Sequence, residues 1–267
     1  AAELWPLEPK RGAPLEDWLR RHRALAERLP QHQEALDSLR ALATPDADAR
    51  FRRDNLEKLC RDLRAFAAPD RGLLAEVATR LQDARLIRRA TLTAPEADRA
   101  WARARERILA SPHYGGLEIV PQLGLIPLGP DPKSGLEEFL HWASHARTPE
   151  HSLDIHAVAE RPLAADVSQG PVFLPIPGGR FTMGAEPNDA QAESGELPRT
   201  TLDLAPFLLA KFETTQAQWT RLTGAQPSSY RPGFIEAAAM TKAVDARHPV
   251  ETIDWRRAAE VGHRYRL

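Results

Sequence analysis

At Ser111-Pro112 the chain changes character, and that break limits what it can fold into. Before it, apolar residues recur at three-and-four spacing, the signature of helices that bury one face. One stripe is Leu15, Trp18, Leu19, His22, Leu25, Ala26 and Leu29, stopped at Pro30; Leu36, Leu39 and Leu42 begin another. A third runs Phe51, Asn55, Leu59, Cys60, Leu63 and Phe66, and a fourth Leu73, Leu74, Val77, Leu81, Ala84 and Ile87. The fifth carries Trp101, Ala104, Ile108 and Leu109, with Pro95 in the first turn and Thr93 as its expected cap. Short breaks between stripes predict antiparallel neighbours, hence a helical bundle or long hairpin over residues 1–110.

After the break, Pro and Gly punctuate short apolar runs. Leu117–Val120, Leu123–Leu128, Glu137–Ala143 and Leu153–Glu160 read as β pieces, and 111–170 as a small β module or ordered connector. From 171 onward strand and turn alternate. Val172–Pro175 and Phe181–Met183 flank a Pro177-Gly178-Gly179 turn, and Thr200–Phe212 is apolar and β-rich. Thr214–Thr223 reads as a helix, and Asp254 is placed to cap a last one. Phe181, Met183, Phe207, Leu209, Phe212 and Trp219 are expected in the core, with Trp255 anchoring the last helix. Glu213, between Phe212 and Trp219, is expected to be partly buried with a cationic partner.

Charge and cysteine usage exclude several classes. The net charge is −1; residues 1–110 hold 22 Lys/Arg against 18 Asp/Glu, with signs interleaved, which fits a solvated surface rather than a nucleic-acid face. No apolar run approaches the roughly 20 residues of a membrane span, so no membrane segment is expected. One cysteine, Cys60, rules out an internal disulfide and fits a reducing, cytoplasmic setting. The Ala1 start lacks the pattern of a signal peptide, and both ends read as cuts in a longer polypeptide.

Six pieces in fixed order carry a family resemblance. They are Pro177-Gly178-Gly179-x-Phe181-x-Met183-Gly184; Glu196-x-Pro198; Pro206-Phe207; Lys211-x-Glu213-x-Thr215; Gln218-Trp219; and Pro249-Val250-Glu251-x-Ile253-x-Trp255. Together they resemble the opening portion of the formylglycine-generating enzyme (sulfatase-modifying factor) family. At Thr200 the chain departs from the pattern, which usually has His there, so no role of that histidine is carried over. Further upstream, Tyr114-Gly115-Gly116-Leu117, Pro121-Gln122-x-Gly124-Leu125 and Pro127–Pro132 resemble the lead-in found in large bacterial proteins. In those, a Ser/Thr kinase precedes a helical region and such a domain.

The resemblance implies an α+β class overall: an all-α segment at 1–110, a connector at 111–170, and an incomplete C-type-lectin-like α+β domain at 171–267. It implies a protein-cysteine oxidase acting on a partner polypeptide, with copper held by two cysteines near the end of the complete domain. That pair and the family's LPTEAEWE-like segment are absent from these residues. No catalytic, cofactor-binding or metal residue is therefore assigned, and no cofactor is expected in this chain. Cys60, on an apolar helical face, reads as a small hydrophobe. The alternative is a lectin-like binding or sensor module beside a signalling kinase in the same full-length chain.

A related branch, the non-haem iron sulfoxide synthases, uses a bundle motif H-x-x-x-H-x-E. His32-Gln33-Glu34 matches its second half, but Arg28 stands where the first histidine belongs, and a cation there repels iron. His141, His145, His151 and His156 show no ligand spacing and read as solvated loop. No Gly-rich phosphate loop, kinase signature or G-x-S-x-G occurs.

Overall fold

The computed structural model describes residues 4, 7–70, 72–144, 170–186, 188–231 and 244–265. The architecture is mixed α+β, and contacts divide it into two units: Ala1–Ile87 with Arg264–Arg266, and Arg88–His263 with Leu267.

The first unit is helical: α1 (Gly12–Ala26), α2 (Leu29–Arg40), α3 (Ala47–Ala67) and α4 (Leu73–Arg88). Asp46 caps α3, its carboxylate accepting from the Ala49 amide at 2.7 Å. Leu15, Leu19, Leu36, Cys60 and Val77 form the buried interior. Trp18 stacks on His22 of the same helix at 4.0 Å, and Phe66 of α3 lies tilted against it at 6.1 Å. Arg40 reaches Glu57 across the α2–α3 contact at 2.8 Å. The stripe expected for α3 is covered only in part: Cys60 is fully buried and Leu63 and Phe66 are half-buried, whereas Phe51, Asn55 and Leu59 are exposed. With apolar residues on two sides of that helix, periodicity alone leaves its rotation open.

In the second unit a π turn (Arg89–Thr93) continues from α4 and leads into α5 (Pro95–Ala110). Ala94, not Thr93, occupies the N-cap, and Pro95 opens the helix as expected. Strands β1 (Leu125–Pro130), β2 (Glu137–His141), β3 (Val172–Ile176) and β6 (Phe207–Ala210) make an antiparallel sheet in the order β1-β2-β3-β6. Strands β4 (Gly179–Met183) and β5 (Thr200–Leu204) pair separately as a two-stranded ribbon. Helices α6 (Gln216–Thr223) and α7 (Trp255–Tyr265) follow.

α5 packs on β1 and β2. Its Trp101, Ala104 and Ile108 build the core with Tyr114, Ile119, Leu125 and Phe139, and the Trp101 and Phe139 rings lie 5.2 Å apart. The indole N–H of Trp101 donates to the Thr91 carbonyl at 2.8 Å, and the Thr91 hydroxyl accepts from the Gly124 amide at 3.1 Å. Buried polar groups there are thus satisfied.

Several expectations are corrected. Leu117–Val120 is not a strand, although Ile119 joins the core. Thr200–Phe212 is two strands: Pro206, which has no amide to give a ladder, marks the corner where β5 leaves β4 and β6 joins β3. Phe181 (42% exposed), Met183, Phe207, Leu209 and Phe212 are exposed, and only Trp219 of that set is buried. Phe207 and Leu209 alternate with Leu208, and it is Leu208 that turns toward the core. Trp255 is 84% exposed, so Val261 and not Trp255 anchors α7. Asp254 does cap that helix, accepting from the Arg257 amide at 2.7 Å. Leu153–Glu160, with His145, His151 and His156, lies outside the described residues. His141 is buried on β2 with its Nδ1 2.8 Å from the Ser144 hydroxyl, not solvated.

Candidate functional site

The motif that runs from Lys211 to Trp219 is a joint between sheet and helix. Lys211 follows β6 and places its ammonium between Glu138 and Asp131, the latter at 3.1 Å. Burial opposes that charge, yet bonds to Glu138 and Asp131 hold the lysine above its ordinary value. Asp131 is pushed down to about 2, first by the Ser134 hydroxyl and amide and then by Lys211. Glu213 is exposed, against expectation. Thr215 is the N-cap of α6: its hydroxyl accepts from the Gln218 amide at 3.2 Å, while Gln218 Oε1 accepts from the Thr215 amide at 3.0 Å. This reciprocal capping box explains why Thr and Gln stand three apart in the sequence. Trp219 is buried one residue on.

Pro249-Val250-Glu251 closes against the same helix end. The Val250 amide donates to the Thr214 carbonyl at 2.8 Å, and Thr215 and Pro249 form a β-bridge. In return the Gln216 amide donates to His248 at 2.9 Å and the Ala217 amide to Ala246 at 2.8 Å. The first-turn amides of α6 are therefore occupied by this clamp, and the helix start is not an anion site. The Gln216 side chain ties the clamp to the loop after α6, donating to the carbonyls of Tyr230 at 2.8 Å and Pro249 at 3.4 Å.

Between these pieces lies an open groove of about 470 Å³. Gln216, Thr220 and Arg221 of α6 form one side; Ser228 and Arg231 of the loop, and Val250 of the clamp, form the rest. Arg231 also donates to the Gln226 carbonyl at 2.8 Å. Gln216 and Ser228 are buried. Glu251, behind the loop, is held below the usual glutamate value by the Thr252 hydroxyl and by donors from Tyr230, Ser228 and Ser229. Of the groove residues, Val250 stood in a family piece and Gln216, Thr220 and Arg221 lie in the stretch read as a helix; Ser228 and Arg231 carried no signal of type or spacing.

The glycines of the motif have a steric cause. A Cβ on Gly178 (φ +77°) would lie 2.4 Å from the Leu204 carbonyl oxygen, and one on Gly184 (φ +113°) 2.6 Å from that of Glu196. Both let β4 turn tightly against the β5 segment.

A cuprous ion on two thiolates does not fit these residues. The chain has one cysteine, and Cys60 is fully buried in the helical unit. Among the described residues no three His, Cys, Asp or Glu side chains are grouped to hold a metal ion. His32 is half-buried on α2, one turn after Arg28, whose carbonyl accepts its amide. Among the described residues no helix is long and apolar enough to cross a membrane.

The ordered motif pieces lie on the glycine-turned ribbon, on β6 and the clamped helix that follows it, and on the clamp itself. Residues 159–265 match the family model of the sulfatase-modifying factor enzyme 1-like domain, so over that stretch the chain carries a domain of the formylglycine-generating enzyme family. No curated protein and no solved structure matches the chain.

Proposed function

We propose that this domain acts on another polypeptide, and that the groove beside α6 takes a segment of it. The groove itself carries the reading: its walls alternate hydrogen-bonding side chains (Gln216, Thr220, Ser228) with apolar Pro227 and Val250. A concave site of that mix suits a peptide, whose backbone needs polar partners and whose side chains need apolar ones. Binding, rather than redox chemistry, is the part of the family's work that these residues are equipped for. The same groove would serve a protein-cysteine oxidase only with a thiolate pair supplied by residues other than these. The second reading, a lectin-like sensor module beside a kinase, is favoured by the burial of Cys60, because a binding module needs no thiol. The resemblance of residues 111–132 to the lead-in of kinase-linked proteins supports that setting.

The test is selection of peptides from a displayed random library on the full chain, with affinities for wild type and Thr220→Trp compared by calorimetry. Tryptophan at this half-exposed position should fill the groove; it leaves the Thr215–Gln218 capping box in place and gives up the 3.4 Å bond from the Thr220 hydroxyl to the Ala225 carbonyl. A loss of about tenfold or more is expected, equal to about 1.4 kcal/mol. Equal affinity for both proteins would contradict the reading.

A further inference from the structure

Among the described non-glycine residues, Thr252 alone has a positive φ, at 61°. Left-handed backbone is uncommon for any residue with a side chain and an outlier for a β-branched one. Such a conformation persists only where the surroundings enforce it. Here they do: the Thr252 hydroxyl donates to the carboxylate of Glu251, its chain neighbour. That carboxylate also accepts from the Tyr230 amide at 2.9 Å and is bonded by the Ser229 amide and the Ser228 hydroxyl. The Glu251 amide in turn donates to the Ser228 oxygen at 3.3 Å. Ser228 is buried and lines the groove, as does Val250 on the other side of Glu251.

We propose that Glu251 and Thr252 form a latch in which one carboxylate, aimed by the left-handed Thr252, fixes the 228–230 loop and so sets the width of the groove. Two segments distant in sequence meet at this carboxylate, and the Gln216 side chain adds a further tie by donating to the Tyr230 carbonyl. Glu251 is thus a positioning residue: it does not line the groove but holds the residues that do. Thr252 supplies both the donor and the turn that keeps the carboxylate pointed at the loop amides. The consequence for binding rests on the groove reading above; the latch does not.

Hydrogen exchange on the full chain tests it without any ligand. Glu251→Gln keeps the size and removes the charge, so the amides of Ser229 and Tyr230 should exchange about tenfold faster or more, since bonds to a charged acceptor are the stronger kind. The Lys211 amide, bonded to Val172 within the sheet at 2.7 Å, should not change. Ser229 and Tyr230 exchange within about twofold of wild type would overturn the latch. Thr252, exposed, gives the second arm. Thr252→Asn tolerates left-handed backbone and offers a side-chain donor, so it should retain slow exchange, while Thr252→Ala should lose it. Identical behaviour of the two variants would overturn the proposal. Because neither arm uses a peptide, a slow-exchanging latch beside a groove that binds nothing would sink the functional reading alone.

Discussion

Arg107 of α5 grips Glu137 of β2 with two parallel bonds, Nε to Oε2 at 2.8 Å and Nη2 to Oε1 at 2.5 Å. Glu137 is 2% exposed, and the Tyr114 hydroxyl accepts its backbone amide at 2.7 Å. Removing Arg107 leaves a carboxylate buried without its counter-charge. Breaking a fully buried pair costs about 3–5 kcal/mol; with the Arg107 side chain 38% exposed, Arg107→Ala should cost about 2–3. Arg107→Lys should recover only part, because lysine lacks the planar fork. Urea melts give both numbers, and a cost under about 0.5 kcal/mol for the alanine variant would contradict the packing described.

Acid should loosen the same sheet in a defined window. Asp131 is lowered from 3.8 to about 2 in the folded chain by Ser134 and Lys211. A depressed carboxylate contributes stability that is complete above its unfolded value and lost as pH falls through the folded one. The contribution is therefore present above pH 3.8 and disappears toward pH 2. Melting temperatures measured across that range should fall less steeply in Asp131→Asn than in wild type; parallel curves would contradict the assignment.

The motif glycines separate conformation from composition. Gly178→Ala meets the Leu204 carbonyl oxygen and a disfavoured φ at once, so a cost above about 2 kcal/mol is expected. Gly195→Ala has open space and no positive φ, and should stay within about 0.5 kcal/mol. Equal melts for the two variants would mean that the turn at Gly178 is not required.

How much of this was legible depended on the range of the interactions. Helices announced themselves by periodicity, and Asp254 and Pro95 marked starts because capping is local. The family pieces pointed to the domain now matched over 159–265. The rotation of α3 was not legible, since Leu59 and Cys60 are adjacent and either could face inward. The exposure of Phe207 and Leu209 was equally hidden: alternation says that Leu208 faces the other way, but not which side is covered. The groove was invisible, because it arises where residues 216–221 meet residues 226–231 and 246–250, pairings that no local pattern encodes. Glu213 looked more interesting than Gln216 by charge, yet Gln216 is the one buried and bonded to two loops.

Cys60 gives a chemical prediction. Incubated with copper and a Cys-x-Pro-x-Arg peptide, the chain should form no formylglycine by mass spectrometry, since its thiol is fully buried and has no second thiol to share a metal. Aldehyde above the blank, lost in Cys60→Ser, would show that this thiol reacts. Leu59→Ala, at a half-open position, should cost under about 1 kcal/mol, below the 2–5 of a buried leucine.

In the proposed function, the clamp and helix α6 together make a peptide site. Amide chemical-shift mapping of the full chain, titrated with a library-selected peptide, tests it most directly. The expected result is saturable shifts concentrated at Gln216, Thr220, Ser228 and Val250, with the helical unit silent. Shifts centred instead on the exposed ribbon around Phe181 and Met183, with residues 216–231 unmoved, would contradict it.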